Sequence, residues 1–255
     1  MKVELTDGVN LNVEDLGDGF PLIVLHGGPG VDHSMFRPYL DPLGDEFRLL
    51  YVDQRGQGRS ERVDPETLSL DVFARDVDLL AEALGLDRFA LLGHSFGAIV
   101  TTNHAIELGT AAAYVISGGG DSSETLGDDV QASLAAMGED GVAIEESWEQ
   151  EKTVATEEEL QSLLRTQMPF HFAGDPPPGY GDFDYVPDLH RISKPTLVIV
   201  GEKDRTTTPR AARVLHDGIA QSELVVLPGV GHMSFVEAPD PYLNAVRTFL
   251  RRVSA

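Results

Sequence analysis

The chain of 255 residues carries 19 basic and 42 acidic side chains, which gives a formal net charge of −23, and it has no cysteine. Its 42% hydrophobic and 24% charged residues support a folded core and exclude a disordered chain. The negative charge disfavours nucleic acids and anionic membranes as partners, and the lack of cysteine excludes thiol catalysis, disulfides and thiolate metal sites. We expect a cytoplasmic protein, because no pattern of a signal peptide or a membrane span occurs.

Short apolar runs and helical periodicity alternate along the first half of the chain. Residues 3–5 and 11–15 flank the turn Asp7-Gly8 and predict an opening β-hairpin. Apolar runs predict further strands, buried on both faces of a parallel sheet, at residues 22–25, 49–52, 89–92 and 114–117. The apolar spacing predicts helices at residues 69–84 and 97–108.

Residues 121–190 have a different character from the rest of the chain. They contain acidic segments of helical type around residues 145–151 and 157–164, followed by a proline-rich stretch at 175–179. Because the strand pattern resumes afterwards, an insertion into one sheet is more economical than a separate domain. We therefore predict a small helical cap at residues 121–190.

The strand and helix alternation then returns, with strands at 196–200 and 224–227 and helices after Thr208-Pro209 and at 240–253. Repeated strand–helix–strand units imply right-handed crossovers and a mostly parallel sheet. We therefore predict an α/β fold with a central sheet flanked by helices, whose core domain comprises residues 1–120 and 191–255.

The strongest local motif is Gly93-His94-Ser95-Phe96-Gly97, between a predicted strand and a predicted helix. A nucleophilic serine in such a sharp turn needs small residues two positions to either side, so that strand and helix can approach each other. The turn would raise the Ser95 hydroxyl above the carboxyl edge of the sheet, and would direct the Phe96 N–H towards a developing oxyanion. We therefore predict Ser95 as a catalytic nucleophile.

A serine nucleophile requires a histidine base and a carboxylate that orients it. His232 follows a predicted strand and precedes the last helix, where a loop can carry it over Ser95. The preferred acid is Asp204, after the strand at 196–200, with Glu202 and Asp121 as alternatives. The side chain of His94 is expected to point away from this site.

The loop His26-Gly27-Gly28-Pro29-Gly30 follows another predicted strand. Its missing side chains leave backbone N–H groups accessible, and we predict that the Gly28 and Phe96 N–H groups form an oxyanion hole. A P-loop is excluded because no Gly-Lys-Ser/Thr follows, and Gly56-Gln57-Gly58 lacks the third glycine of a dinucleotide motif. No histidine pair has metal-ligand spacing, so we predict neither a metal nor a cofactor.

Together with Asp53-Gln54-Arg55-Gly56-Gln57-Gly58-Arg59-Ser60, the loop at 26–30 resembles the α/β-hydrolase superfamily and, within it, the proline iminopeptidase branch. These stretches, the serine turn, Asp204 and His232 follow the family order along nearly the whole chain outside the predicted cap. The resemblance implies the α/β-hydrolase fold and a hydrolase acting on a small-molecule ester, amide or short peptide. We expect Arg55 to be structural and to pair near the active-site loops.

The match to the peptidase branch departs from the family at the serine turn and in the cap. The peptidases usually carry Gly-Gly-Ser-Trp-Gly at the serine turn, whereas Gly-His-Ser-Phe-Gly is a form shared with many esterases. Their caps are typically larger and supply glutamates that hold the α-amino group of the substrate. Trp148-Glu149 is similar to a Trp-Glu pair of the family and is our candidate for substrate binding. The alternative is that Glu149 belongs to a solvated acidic helix face.

The sequence thus predicts a cofactor-free serine hydrolase that resembles proline iminopeptidase and works through an acyl-enzyme. A carboxylesterase or lactonase of the same fold is the alternative, and a non-catalytic ligand-binding protein of this fold is the alternative from another class. Epoxide hydrolases and haloalkane dehalogenases are disfavoured, because they need a carboxylate where this chain has Ser95. The sequence implies no particular oligomeric state.

Overall fold

An eight-stranded sheet runs through the molecule in a computed structural model, which describes residues 1–151 and 183–254 together with residues 163 and 166. Its strands are β1 (Lys2–Glu4), β2 (Asn10–Leu16), β3 (Phe20–Leu25), β4 (Phe47–Asp53), β5 (Ala90–His94), β6 (Ala113–Ser117), β7 (Thr196–Gly201) and β8 (Ser222–Leu227). They lie in the order β1-β2-β4-β3-β5-β6-β7-β8. β2 pairs antiparallel with β1 and β4, and the other neighbouring pairs are parallel. The predicted fold class is confirmed.

Helices connect these strands and cover the sheet. In the described part of the chain they are α1 (Leu70–Ala83), α2 (Phe96–Glu107), α3 (Ser123–Met137), α4 (Glu139–Glu151), α5 (Pro209–Gly218), α6 (Ser234–Glu237) and α7 (Pro239–Val253). Short 3₁₀ helices occupy His33–Phe36, Asp41–Asp45, Pro65–Thr67 and Val186–Arg191. Ser69 caps α1 and Thr208 caps α5 through their hydroxyls, as their positions before the helices predict. Among the described residues, no helix combines the length and the hydropathy required to cross a membrane.

Two apolar layers enclose the sheet. Successive residues of a strand face opposite sides, so Leu91 of β5 packs with Phe73 and Val77 of α1, whereas Leu92 packs in the layer that contains Phe249 of α7. All of these side chains are almost completely buried. Because both faces are covered, the loops at the carboxyl edge of the parallel strands are where a site can open to substrate.

The helices α3 and α4 lie in the predicted cap and have an apolar cluster of their own. Val130 and Leu134 of α3 pack with Ile144 of α4, and Met137 and Trp148 border this cluster. The helix α3 was not predicted from the sequence. The predicted helix at 157–164 and the proline-rich stretch at 175–179 lie outside the described residues, except for residue 163.

Polar contacts join α3 to the loop between β7 and α5. Asp129 accepts hydrogen bonds from the hydroxyl of Thr208 at 2.7 Å and from the Arg210 guanidinium at 3.0 Å. The Ser133 hydroxyl donates to the carbonyl oxygen of Arg205 at 2.9 Å. This loop begins at the carboxyl end of β7, so α3 lies beside the edge where the functional site was predicted.

Candidate active site

Ser95 lies between β5, which ends at His94, and α2, which begins at Phe96. Its backbone has a φ of 54° and a ψ of −117°, and no other non-glycine residue in the described part of the chain has a positive φ. Such a conformation costs about 1–3 kcal/mol and persists where the surrounding structure enforces it. The N–H of Ser95 donates to the carbonyl oxygen of Ser117 on β6 at 3.0 Å, which fixes the turn against the sheet.

Two glycines allow the close approach of strand and helix at this turn. A Cβ atom on Gly93 would lie 1.9 Å from the carbonyl oxygen of Gly97, and one on Gly97 would lie 2.3 Å from the carbonyl oxygen of Leu25. Both distances are far below van der Waals contact, so neither position accepts a side chain without displacing backbone. The local structure therefore agrees with the strand–turn–helix predicted from the motif.

Asp204 and His232 form a buried hydrogen-bonded pair. The Nδ1 atom of His232 lies 2.8 Å from Oδ2 of Asp204. The N–H groups of Thr206 and Thr207 donate to Oδ1 of Asp204, both at 3.0 Å, and the Thr207 hydroxyl donates to Oδ2 at 2.9 Å. The carboxylate is thus anchored on the turn after β7. Because Nδ1 of a neutral His232 donates to this carboxylate, Nε2 is the nitrogen that can accept a proton.

Ser95 and the Asp204–His232 pair lie beside two consecutive residues at the end of β6. Ser117 receives the hydrogen bond from the Ser95 N–H. Next to it, a Cβ atom on Gly118 would lie 3.3 Å from Cε1 of His232 and 3.4 Å from Oδ2 of Asp204. Three predicted residues that are far apart in sequence therefore border the last residue of β6 and the residue after it.

The two alternative acids have other partners. Glu202 is exposed and accepts a hydrogen bond from the Gly229 N–H at 2.8 Å. Asp121 is buried, and its Oδ2 lies 3.7 Å from Nη1 of Arg210. Asp204 is therefore the carboxylate that the structure places on His232.

The predicted oxyanion loop lies against the serine. A Cβ atom on Gly27 would lie 3.2 Å from Cβ of Ser95. The N–H of Gly27 donates to Sδ of Met35 at 3.3 Å, and the N–H of Gly30 donates to Oε1 of Gln57 at 2.7 Å. Gly28, between them, has a φ of 100°, and its N–H donates no hydrogen bond within the described part of the chain. Gly28 therefore retains a backbone donor for a ligand.

The segment at 53–60 fastens this loop to the sheet. Gln54 donates from its backbone N–H to Nε2 of His26 at 3.0 Å and from its side chain to the carbonyl oxygen of His26 at 2.9 Å. Arg55 turns the other way and pairs with Asp76 of α1, at 2.8 Å between Nε and Oδ2, and with Asp7. The arginine thus has a structural position, as expected.

Asp53 is the hydrogen-bonding centre of the same segment. Its Oδ1 accepts from the N–H of His33 at 2.9 Å and lies 2.6 Å from Nδ1 of that residue, while Oδ2 accepts from the N–H of Arg59 at 2.9 Å. Burial raises the pKa of Asp53, but the hydrogen bonds from His33 and Arg59 outweigh it and hold this pKa below its ordinary 3.8. The charged carboxylate therefore ties the residues after the glycine loop to the end of β4.

Asp32, His33 and Asp53 are the group of possible metal ligands in the described residues, with ligand atoms within 4.8 Å of one another. Their atoms already serve internal hydrogen bonds, because Oδ1 of Asp32 accepts from the Ser34 N–H at 2.8 Å and Asp53 binds His33. A cation would have to displace these donors, so the group fits a structural role better than a metal site.

The two residues predicted to bind substrate lie on α4 of the predicted cap. The Trp148 side chain is partly buried and borders the apolar cluster between α3 and α4. The side chain of Glu149 lies outside the described residues.

His94 occupies a position that the sequence analysis did not foresee. Its side chain is fully buried, and its ring centroid lies 4.8 Å from that of His232. The expectation that His94 would point away from the site is therefore wrong. Alternation along β5 places it on the face opposite its neighbours, but only the path of the loop after β8 brings His232 to that face.

Comparisons with known proteins identify the family of this chain. The model of the Alpha/beta hydrolase family matches residues 22–245. The chain is 30% identical to the AB hydrolase superfamily protein YisY of Bacillus subtilis, with 97% of both chains covered. It is 27% identical to a proline iminopeptidase of Saccharolobus solfataricus, over 93% of this chain and 86% of the relative.

Solved structures show the same architecture. A thermophilic esterase from Thermogutta terrifontis superposes with a TM-score of 0.74 and 28% identity, with 100% of this chain and 99% of the esterase covered. The family match spans most of the chain, including every strand from β4 to β8 and the serine turn. The chain therefore belongs to the alpha/beta hydrolase family, and it is a hydrolase that resembles the proline iminopeptidases.

Proposed function

We propose that this protein is a serine hydrolase that cleaves an ester or amide bond of a small substrate. The observation that carries the proposal is the buried Asp204–His232 pair beside Gly118, the residue that follows the hydrogen-bond partner of Ser95 at the end of β6. The strained backbone of Ser95 supports it further, because such strain is concentrated at functional sites.

The proposed reaction proceeds through an acyl-enzyme. Ser95 Oγ attacks the carbonyl carbon while Nε2 of His232 takes its proton, and Asp204 holds the imidazolium in place. The N–H groups of Gly28 and Phe96 donate to the tetrahedral oxyanion. His232 then returns the proton to the leaving alcohol or amine. A water molecule, activated by His232, releases the acid and regenerates Ser95. No cofactor enters these steps.

A proline iminopeptidase-like specificity is our first candidate. The relatives named proline iminopeptidase support it, as does the charge of the predicted cap. Residues 121–151 include no Lys, Arg or His but ten acids: Asp121, Glu124, Asp128, Asp129, Glu139, Asp140, Glu145, Glu146, Glu149 and Glu151. Such a field beside the carboxyl edge favours a substrate with a free ammonium group over an anionic one. We assign Trp148 and Glu149 to substrate binding within this candidate.

A carboxylesterase or lactonase is the second candidate. The Gly-His-Ser-Phe-Gly form of the serine turn and the similarity to the Thermogutta terrifontis esterase favour it. In the described structure, Trp148 borders the cap's own apolar cluster, which favours a packing role for this side chain. Both candidates share the chemistry of Ser95 and differ in the leaving group and in what the cap binds.

Labelling with a fluorophosphonate tests the mechanism. The wild-type chain should bind one equivalent of probe covalently, and Ser95→Ala should bind none while keeping the same melting temperature. Ser117→Ala is the matched control, because it removes a neighbouring hydroxyl and leaves the backbone acceptor of Ser95 intact. Labelling that persists in Ser95→Ala would refute the proposed nucleophile. A folded chain without any labelling would favour the non-catalytic binding protein.

Parallel rates on proline p-nitroanilide and on short p-nitrophenyl esters separate the two candidates. Release of nitroaniline from proline with a free amino group supports the peptidase, and its N-acetylated analogue should react more slowly. Ester turnover without aminopeptidase activity would assign the chain to the esterases and leave the mechanism in place. The cap at residues 121–190, the core at 1–120 and 191–255, and the cytoplasmic location remain parts of the proposal.

A further inference from the structure

His94 is a buried imidazole that the proposed reaction does not use. It is the last residue of β5 and immediately precedes Ser95. Its ring lies 4.8 Å from the His232 ring at an interplanar angle of 41°, and the Phe235 ring packs edge-on against it at 5.0 Å. His94 therefore fills the space between the base and the apolar layer beneath it.

Packing alone does not explain a histidine at this position. Nδ1 of His94 lies 3.2 Å from the hydroxyl oxygen of Ser117, but Nε2 has no hydrogen-bond partner in the described part of the chain. A buried nitrogen without a partner destabilises the fold, and an apolar side chain of similar size would avoid that cost. The residue therefore calls for a second role.

The charge state of His94 fits such a role. Burial, aided by the nearby His232, lowers the pKa of His94 well below its ordinary 6.5, so its ring stays neutral while His232 exchanges protons. The quadrupole of an aromatic ring attracts a cation that lies over its face within about 6 Å. A neutral ring at 4.8 Å can thus stabilise the imidazolium of His232 without competing for the proton.

We propose that His94 is a positioning residue of this site, which supports the ring of His232 and stabilises its imidazolium form. This inference rests on the proposed serine hydrolase mechanism. In the described part of the chain, the ionisable groups that face His232 are Asp204, from the turn after β7, and His94, from β5. The Phe235 ring contacts both His94 and the Tyr242 ring of α7. Burial raises the pKa of Tyr242 far above its ordinary value, so it remains uncharged.

His94→Leu tests the proposal, because leucine fills the space but has no ring. We expect kcat on a p-nitrophenyl ester to fall about tenfold with KM within about twofold, since the base is held less well. We also expect the acidic limb of the kcat/KM profile to move to lower pH by about half a unit, since the imidazolium loses a stabilising ring. His104→Leu is the matched control: His104 is equally buried, but it pairs with Asp78 and should leave the profile unchanged.

An NMR titration of the His232 ring in wild type and His94→Leu tests, independently of turnover, whether His94 stabilises the imidazolium. A lower midpoint in the variant supports the proposal, and an unchanged midpoint in a folded variant overturns it. If the wild type hydrolyses nothing, the proposed function fails, while this titration still judges the role of His94. If His94→Leu does not fold, His94→Met replaces it: methionine also fills the space without a ring, so the midpoint should again fall, and an unchanged midpoint overturns the proposal.

Discussion

The carboxyl edge of the sheet and the helical segment at residues 121–151 are built in different ways. At the edge, Asp204 accepts three hydrogen bonds besides its contact with His232, and all of these groups are buried. The helical segment has a small apolar cluster, and its charges are all acidic. Polar contacts such as Asp129 with Arg210 join it to the core beside α5, and Leu126 of α3 packs against the main apolar cluster.

This difference suits two separate functions, proton transfer at the edge and substrate choice at the helical segment. A reaction that transfers a proton needs groups held in place within a fraction of an ångström, and a dense hydrogen-bond network provides that. Substrate choice needs only a surface of suitable charge and shape, which the acidic segment beside the edge can supply. We therefore expect substitutions at the edge to act on kcat or on global stability, and changes at the segment to act weakly and on substrate preference.

The largest effect on kcat is expected from Asp204, the carboxylate at the carboxyl edge of the sheet. Asp204→Asn removes the negative charge that orients His232 and should lower kcat by about 10⁴-fold. Asp121→Asn is the matched control: it alters a buried carboxylate near Arg210 and should change kcat less than about fivefold. Ester hydrolysis measured on both variants checks this. A larger loss in Asp121→Asn than in Asp204→Asn would reassign the acid.

The next prediction compares an ion pair in the core with an ion pair that joins the helical segment to the core. Arg55 and Asp76 are both buried in the core, so Arg55→Met should leave an unpaired buried carboxylate and destabilise the fold by about 3–5 kcal/mol. Arg210, which joins the helical segment to the core, is half exposed, and Arg210→Met should cost less than about 1 kcal/mol. Urea unfolding of both variants measures the difference. Equal losses would mean that the segment is joined as firmly as the core.

The same contrast explains which features the sequence predicted. Strands such as β5 and β7 are buried on both faces, so they appear as apolar runs, and the glycines around Ser95 follow from the sterics of a single turn. Local features of this kind can be predicted from the sequence without knowing the fold.

Features that depend on packing between distant parts of the chain could not be predicted from the sequence. In α3 the buried apolar residues are only Val130 and Leu134, so the helix lacks a strong periodicity and depends on α4. His94 meets a loop 138 positions later in the chain, and alternation along β5 could not identify that loop. The sequence favoured Asp204 over Asp121 by its place after a strand, but spacing alone did not orient the N–H groups of Thr206 and Thr207 that anchor this carboxylate.

A pH-dependent effect is expected for Asp53, which ties the oxyanion loop to the edge. Its pKa is held below 3.8 in the folded protein, so its carboxylate contributes stability above the unfolded value, and this contribution is lost as the pH falls through the folded value. Asp53→Asn should therefore be less stable than wild type by about 1–3 kcal/mol at pH 7, with a difference that shrinks below about pH 4. Urea unfolding between pH 7 and pH 3 measures it. A difference that does not change with pH would show that charge plays no part.

The smallest effect is expected from the acidic segment. If its charges attract an ammonium group, raising NaCl from 0.05 to 0.5 M should lower kcat/KM for proline p-nitroanilide by about threefold, because salt screens exposed charges over a few ångströms. A neutral p-nitrophenyl ester is the matched control and should respond little, since it gains nothing from the electrostatic field of the acidic segment.

Replacing Glu145 and Glu146, both exposed on α4, by Gln should reduce the salt response of the charged substrate alone. Equal salt responses for both substrates would remove the electrostatic argument for an amine-bearing substrate and favour the esterase candidate, whereas the roles assigned to Ser95 and His232 would be unaffected.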